Sequence, residues 1–309
     1  MLDLAIIGGG PAGLTAGLYA TRGGLKNVEM FEMGIPGGQI TSSSEIENYP
    51  GQLEVVSGMK LMENWPKQAI KFGLKHTTKE VKKVKKQGKH FILEFSDKTN
   101  VEAKSVIVAT GSTPKRAGFK GESEFFGRGI STCATCDGFF YKNKDVAIIG
   151  GGDSALEEAL YMSSIASKVY LIHRRNKFIA APTTTEKVKN NPKIELILNA
   201  TPREVLGNKM GVTGLVLDTK NGEKKLEVLG VFIFVGRNVK NEILKDESGK
   251  SLCKLNEAGE VITNLKMHTS QKGLFVAGDI RQDAPKQVVC AASDGAIAAL
   301  EAIAFLQGH

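Results

Sequence analysis

The sequence predicts an α/β protein built from two doubly wound, three-layer domains. At 309 residues the chain is longer than one ordinary domain needs. A strand, a glycine turn, a helix and a second strand follow one another near the start, and the same order returns mid-chain. Glycine numbers 35 of 309, above the usual ~7%, while proline numbers only 9, so backbone is being brought close to something without low-complexity bias.

The elements read as follows. Leu4 to Ile7 is a short apolar strand, Gly8-Gly9-Gly10-Pro11-Ala12-Gly13 a turn, Leu14 to Thr21 a helix, and Val28 to Phe31 a strand ending at Glu32. Val146 to Ile149, Gly150-Gly151-Gly152-Asp153-Ser154-Ala155, Leu156 to Ile165 and Val169 to Ile172 repeat that order. Gly8 to Gly150, Gly10 to Gly152, Gly13 to Ala155 and Glu32 to Arg174 share one offset of 142 residues. Such a repeat predicts two βαβ nucleotide-binding units of Rossmann-like type. Further buried strands are expected at Ser105 to Ala109, closed by Thr110-Gly111, and at Val231 to Val235, closed by Gly236. Gly273 to Asp279 reads as a strand running into an acidic turn, and Val288 to Leu306 as a long closing helix.

Composition narrows the class. With 41% hydrophobic and 24% charged residues the chain can bury a core, which excludes wholesale disorder. No stretch of about 18 apolar residues is expected in the chain, which excludes a membrane-spanning helix. The start lacks a basic n-region, so neither a signal nor a transit peptide is expected, and the cytoplasm is the default location. The net charge of +8 is spread out; its densest cluster, Lys82, Lys83, Lys85 and Lys86, alternates with valine and carries no aromatics. It reads as the solvated face of a strand pair, not a nucleic-acid patch. Four cysteines do not make a secreted disulphide framework.

The motifs carry the chemistry. In G-x-G-x-x-G after a strand, glycines turn the chain, admit a pyrophosphate to the backbone amides and pack helix on strand, while the helix N-terminus attracts phosphate. An acid at the end of the next strand takes ribose hydroxyls, and Glu32 occupies that position. In the second turn Ala155 replaces the third glycine and Arg174, within His173-Arg174-Arg175, replaces the acid. Arginines pair with a 2′-phosphate that an acid would repel, which argues for NADP over NAD. Cys133-Ala134-Thr135-Cys136-Asp137 has four common readings: redox dithiol, half a zinc site, haem attachment or chance. Asp137 stands where haem attachment needs histidine, and no second knuckle of metal ligands accompanies the pair. No metal is therefore expected. The dithiol reading leaves Asp137 as the acid/base for a leaving thiolate, with Cys253 and Cys290 as buried structural thiols. Two nucleotide sites and a dithiol imply electron traffic, and a flavin between nicotinamide and sulphur supplies it. The first site should then hold FAD and the second NADPH.

These residues resemble the bacterial low-molecular-weight thioredoxin reductases, homodimeric FAD-containing pyridine nucleotide-disulphide oxidoreductases. The likeness spans nearly the whole chain. It rests on both glycine turns, Pro36-Gly37-Gly38-Gln39, Glu47-Asn48-Tyr49-Pro50-Gly51, Ala109-Thr110-Gly111, Cys133 to Gly138, His173-Arg174-Arg175 and Ala277-Gly278-Asp279. The resemblance implies that Gln39 and Asn48 contact FAD beside Gly8, Gly10, Pro11, Ala12, Gly13, Glu32, Gly38 and Gly111. It implies that Asp279, after Gly278, holds the flavin end with Lys286, Gln287 and Val288. Residues 1–116 and 243–309 would form a split FAD domain, and 117–242 an inserted NADPH domain carrying the dithiol, with Gly150, Gly152, Asp153, Ser154, His173, Arg174 and Arg175 at the nucleotide. Cys136 would face the flavin, Cys133 attack the disulphide of thioredoxin, and Asp137 serve as acid/base. The nicotinamide site and the dithiol would share one domain yet serve one flavin, which implies domain rotation. One position departs from the family pattern: Ile179 stands where a third arginine usually follows His173-Arg174-Arg175. Alternatives are the same architecture serving another disulphide acceptor, a dithiol oxidase, NADH as donor, a non-enzymatic redox sensor, or a zinc-stapled binding protein.

Overall fold

The computed structural model describes residues 1–43 and 45–308. The chain divides into two compact units, Met1–Thr113 with Val239–His309, and Pro114–Asn238. These boundaries fall slightly ahead of 116/117 and 242/243, because the strands Ser112–Pro114 and Arg237–Val239 pair as a two-stranded ribbon where the chain passes between units.

The first unit is built on parallel strands. Val28–Glu32, Leu2–Ile7, Asn100–Val108 and Leu274–Val276 lie side by side, with Lys75–Thr78 parallel outside Val28–Glu32. The hairpin Val81–Gln87/His90–Phe95 continues the sheet antiparallel to Asn100–Val108. Successive side chains of Leu2–Ile7 face opposite layers. Leu4 and Ile6 join the core of the helices Pro11–Arg22 and Val288–Gln307, whereas Ala5 and Ile7 join one with Leu244, Cys253 and Val261. The hairpin is the solvated strand pair expected from the lysine cluster: Lys82, Lys83 and Lys85 pair with Glu80, Glu247 and Glu94, and the ammonium of Lys86 lies over the Phe91 ring.

The closing helix Val288–Gln307 corrects one expectation. It is long and apolar enough, by length and composition, to match a membrane span. One face of it, Asp294, Gly295, Ala298, Ala299 and Ala302, is buried. Gly295 lies so close to the first glycine helix that a Cβ there would sit 2.1 Å from the carbonyl oxygen of Ala12, and Asp294 beside it is buried.

The second unit carries five parallel strands in the order Ile194–Leu198, Lys168–His173, Asp145–Gly150, Gly230–Phe234, Ile130–Ser131. Val146 and Ile148 face the helix Asp153–Ser163 through Ala155, Leu156 and Ala159. Ala147 and Ile149 face a three-stranded antiparallel sheet, Ala200–Asn208, Gly211–Thr219 and Gly222–Leu226. Helix, parallel sheet and antiparallel sheet make its three layers.

Candidate active site

In the first unit every expected contact group follows the C-terminal end of a parallel strand or the segments beside it. Gly8 follows Leu2–Ile7 at φ +107°, and a Cβ there would lie 2.4 Å from the carbonyl oxygen of Ala109. A Cβ on Gly13 would lie 1.8 Å from the carbonyl oxygen of Gly8, so the helix Pro11–Arg22 starts directly against the turn. Gly10 caps that helix without a side-chain bond, leaving first-turn amides for an anion. Glu32 ends Val28–Glu32 and accepts from the amides of Gly9 (2.7 Å) and Gly34 (3.0 Å), which aims its carboxylate at the turn. Gly38, at φ +72°, comes so near that its Cβ would lie 2.8 Å from the Cα of Gly10 and 3.4 Å from the ring of Pro11, and Gln39 starts the short 3₁₀ turn after it. Gly111 follows Asn100–Val108 at φ +71°, its carbonyl bonded by the Lys240 amide.

The acidic turn completes this edge. Gly278, at φ +78°, is wedged between the first turns of both long helices, 3.1 Å from the Ala12 Cβ and 3.7 Å from the Ala291 Cβ as judged by an added Cβ. Asp279 follows it. The Asn48 amide donates to the Gln287 side chain (3.4 Å), joining segments far apart in sequence, and Val288 opens the last helix. Lys286, expected at the flavin, holds φ +61° and donates to Glu260 at 3.2 Å. Sequence reasoning missed what fixes this turn. Asp294 takes Arg281 through two bonds (2.6 and 3.0 Å) and the Gly278 amide at 3.0 Å.

The second unit repeats the edge with a different chemistry. Gly150 packs against the Phe234 carbonyl and Ala155, and Gly152 opens into free space. The helix Asp153–Ser163 starts there without a side-chain cap, with Asp153 and Ser154 exposed in its first turn. Arg174 and Arg175 follow Lys168–His173 and are exposed. His173 is not with them. It is buried beneath Gly151, where a Cβ would strike its ring at 2.1 Å, and it packs beside Phe178; burial holds its pKa below the ordinary histidine value. It supports the turn and does not stand in solvent beside the arginines.

Cys133 and Cys136 form a disulphide with Cα atoms 5.3 Å apart, just after Ile130–Ser131 and so at the same sheet edge as the second glycine turn. Cys133 caps the short helix Ala134–Asp137, its sulphur accepting the Cys136 amide at 3.2 Å and lying 3.4 Å from the Thr135 hydroxyl. Ala134 is fully buried and anchors the pair to the core formed by Ala155 and Ala159. Asp137 is partly buried, and burial together with the Asp137 charge pushes the Tyr141 phenol up to about 12. Among the described residues no group of three or more metal-ligating side chains clusters. Cys253 is buried and burial pushes its thiol up to about 11, whereas Cys290 is only half-buried, contrary to expectation.

The disulphide beside a dinucleotide turn decides the family. The family model for pyridine nucleotide-disulphide oxidoreductases matches residues 2–295. Thioredoxin reductase of Helicobacter pylori is 58% identical over 311 residues, covering 100% of both chains, and that of Bacillus subtilis 39% identical over 96% of this chain and 92% of its own. This chain belongs to the thioredoxin reductase family of pyridine nucleotide-disulphide oxidoreductases. The crystal structure of thioredoxin reductase from Streptococcus pyogenes matches with a TM-score of 0.91 at 37% identity, covering 100% of this chain and 99% of that one. Thioredoxin reductase from Giardia duodenalis matches at 0.92 and 34%, covering 99% of each. As a thioredoxin reductase the chain is an oxidoreductase working through a redox-active disulphide, and Cys133–Cys136 is that disulphide.

Proposed function

We propose that this chain is an NADPH-dependent, FAD-containing thioredoxin-disulphide reductase, acting as a cytoplasmic homodimer. The carrying observation is the Cys133–Cys136 disulphide on the same strand-end edge as the second dinucleotide turn. The first edge fits FAD: the uncapped helix start, the Gly10–Gly38 approach and the backbone-held Glu32 form a cradle that any Cβ at Gly38 would fill. Bound there, FAD supplies the two-electron relay between a nicotinamide and a disulphide. Gly150, Gly152, Asp153 and Ser154 border the NADPH pyrophosphate, and Arg174 and Arg175 offer forks to its 2′-phosphate. His173 holds the turn from below.

The chain's own sulphur chemistry balances. With the dithiol reduced, the amide of Cys136 favours the Cys133 thiolate. That thiolate attacks one sulphur of the thioredoxin disulphide, forming a mixed disulphide as the substrate S–S bond breaks. Asp137 gives a proton to the departing thiolate. Asp137, left ionised, takes the Cys136 proton, and the Cys136 thiolate attacks Cys133, closing the internal disulphide and releasing the second substrate sulphur as a thiolate that solvent protonates. Two electrons pass to thioredoxin and two are left to be resupplied from NADPH. Phe139, 64% exposed, and Phe140, 40% exposed, directly follow the dithiol helix and offer an apolar landing for a protein substrate.

The test is turnover with thioredoxin and NADPH, using Cys133→Ser as control. Wild-type protein is expected to reduce thioredoxin, and the variant to lose that reduction while its flavin absorbance still bleaches with NADPH. Bleaching in wild type without thioredoxin reduction would make another disulphide the acceptor.

A further inference from the structure

Arg174 to Ala181 is a loop held rigidly over the second glycine turn. The Ile179 amide donates to the Gly151 carbonyl at 2.7 Å, and the Ala181 amide to the Asp153 carboxylate at 2.8 Å. Arg175 accepts from Asn199 at 3.2 Å, and Phe178 lies against the His173 ring, itself wedged under Gly151. Ile179 therefore forms a bridge with Gly152 at the mouth of the nucleotide turn. Its side chain is 64% exposed, amid Arg174, Arg175, Asn176 and Lys177, all exposed. Burial does not account for an isoleucine there, since it packs into no core cluster.

The end of the second strand is where a dinucleotide's adenosine ribose is read. We propose that Ile179 sets the coenzyme tolerance of this site, so that it accepts dinucleotides lacking the 2′-phosphate (NADH as well as NADPH). This rests on the reading that Arg174 and Arg175 face that phosphate. They meet it from the strand side of the loop. On the far side Ile179 brings no charge; it offers apolar surface to the adenosine, a contact both coenzymes make equally and which therefore does not discriminate. Because the loop is pinned, it presents this apolar side chain in both cases.

The experiment is calorimetric titration of the oxidised, flavin-loaded protein with 2′,5′-ADP and with 5′-AMP, for wild type, Ile179→Arg, Ile179→Ala and Arg174→Ala. With two exposed, solvent-screened arginines each worth about tenfold, wild type is expected to favour 2′,5′-ADP by no more than about a hundredfold. Ile179→Arg should tighten 2′,5′-ADP alone by about a further tenfold, the worth of one exposed charge-assisted contact. Ile179→Ala should weaken both probes alike. A wild-type preference above about a hundredfold, or an Ile179→Arg protein with an unchanged ratio, overturns the inference. If instead Arg174→Ala leaves the ratio unchanged, the underlying placement of the 2′-phosphate fails, and that failure is visible separately.

Discussion

Glu158 lies one turn before Tyr161 and Met162, the residues packed against Gly138 at the end of the dithiol segment. Its Oε2 is buried without a hydrogen-bond partner, and burial, helped by the neighbouring Glu157 charge, pushes its pKa up to about 7. A carboxyl whose folded pKa exceeds its unfolded value of 4.5 is neutral in both states at low pH and costs nothing there. Between about 4.5 and 7 the carboxyl ionises in the unfolded chain but stays protonated in the folded one, so stability falls as pH rises through this window and stays low beyond it. Glu158→Gln is expected to stabilise the protein at pH 8 by about 1–2 kcal/mol, discounted because the residue is part-exposed, and to change little at pH 4.5. Thermal unfolding at the two pH values checks it; equal shifts at both would refute the assignment. Thiols differ in the same way. In the oxidised protein Cys290 should alkylate well before Cys253, whose raised pKa and burial keep it a protonated thiol, and peptide mapping after brief iodoacetamide treatment reads the order.

Helix and turn depend on each other at the Asp294–Arg281 pair. Removing one partner leaves a buried charge uncompensated, which costs about 3–5 kcal/mol, whereas removing both is far milder. Asp294→Asn alone should therefore lower the unfolding midpoint sharply, and Arg281→Met/Asp294→Asn together should recover most of it in denaturant unfolding. A double variant as weak as the single one would mean the pair is not the tie between turn and helix. This contact also marks the limit of sequence reading. Strands such as Leu2–Ile7 and Asp145–Gly150 were legible because a buried parallel strand is a continuous apolar run, and both turns because glycines and the ribose-reading position have local spacing. The Asp294–Arg281 fork, the Asn48–Gln287 contact and the burial of His173 under Gly151 were not, since each depends on segments brought together only by the fold. The antiparallel layer at 200–226 was missed for a similar reason: its strands Ala200–Asn208 and Gly222–Leu226 carry few continuous apolar residues, and pairing decides them.

At the scale of the molecule, topology divides the electron path. On the proposed reading the flavin cradle belongs to one unit, while the nicotinamide turn and the dithiol share the strand-end edge of the other, and the chain joins the units through Ser112–Pro114 and Arg237–Val239. On that reading a single flavin ring exchanges electrons with both groups of the second unit in turn. Two short crossovers allow that unit to rotate as a rigid body, so we expect alternation between a flavin-reducing and a flavin-oxidising arrangement. A set of engineered cysteine pairs, one cysteine on each unit, tests this by stopped-flow absorbance. A crosslink that arrests the rotation should abolish multiple turnover with thioredoxin yet preserve one half-reaction, either flavin bleaching by NADPH or flavin reoxidation through Cys133–Cys136. Reduction of the crosslink should restore turnover. Full turnover with the units locked together would exclude rotation and require both groups to reach the flavin at once.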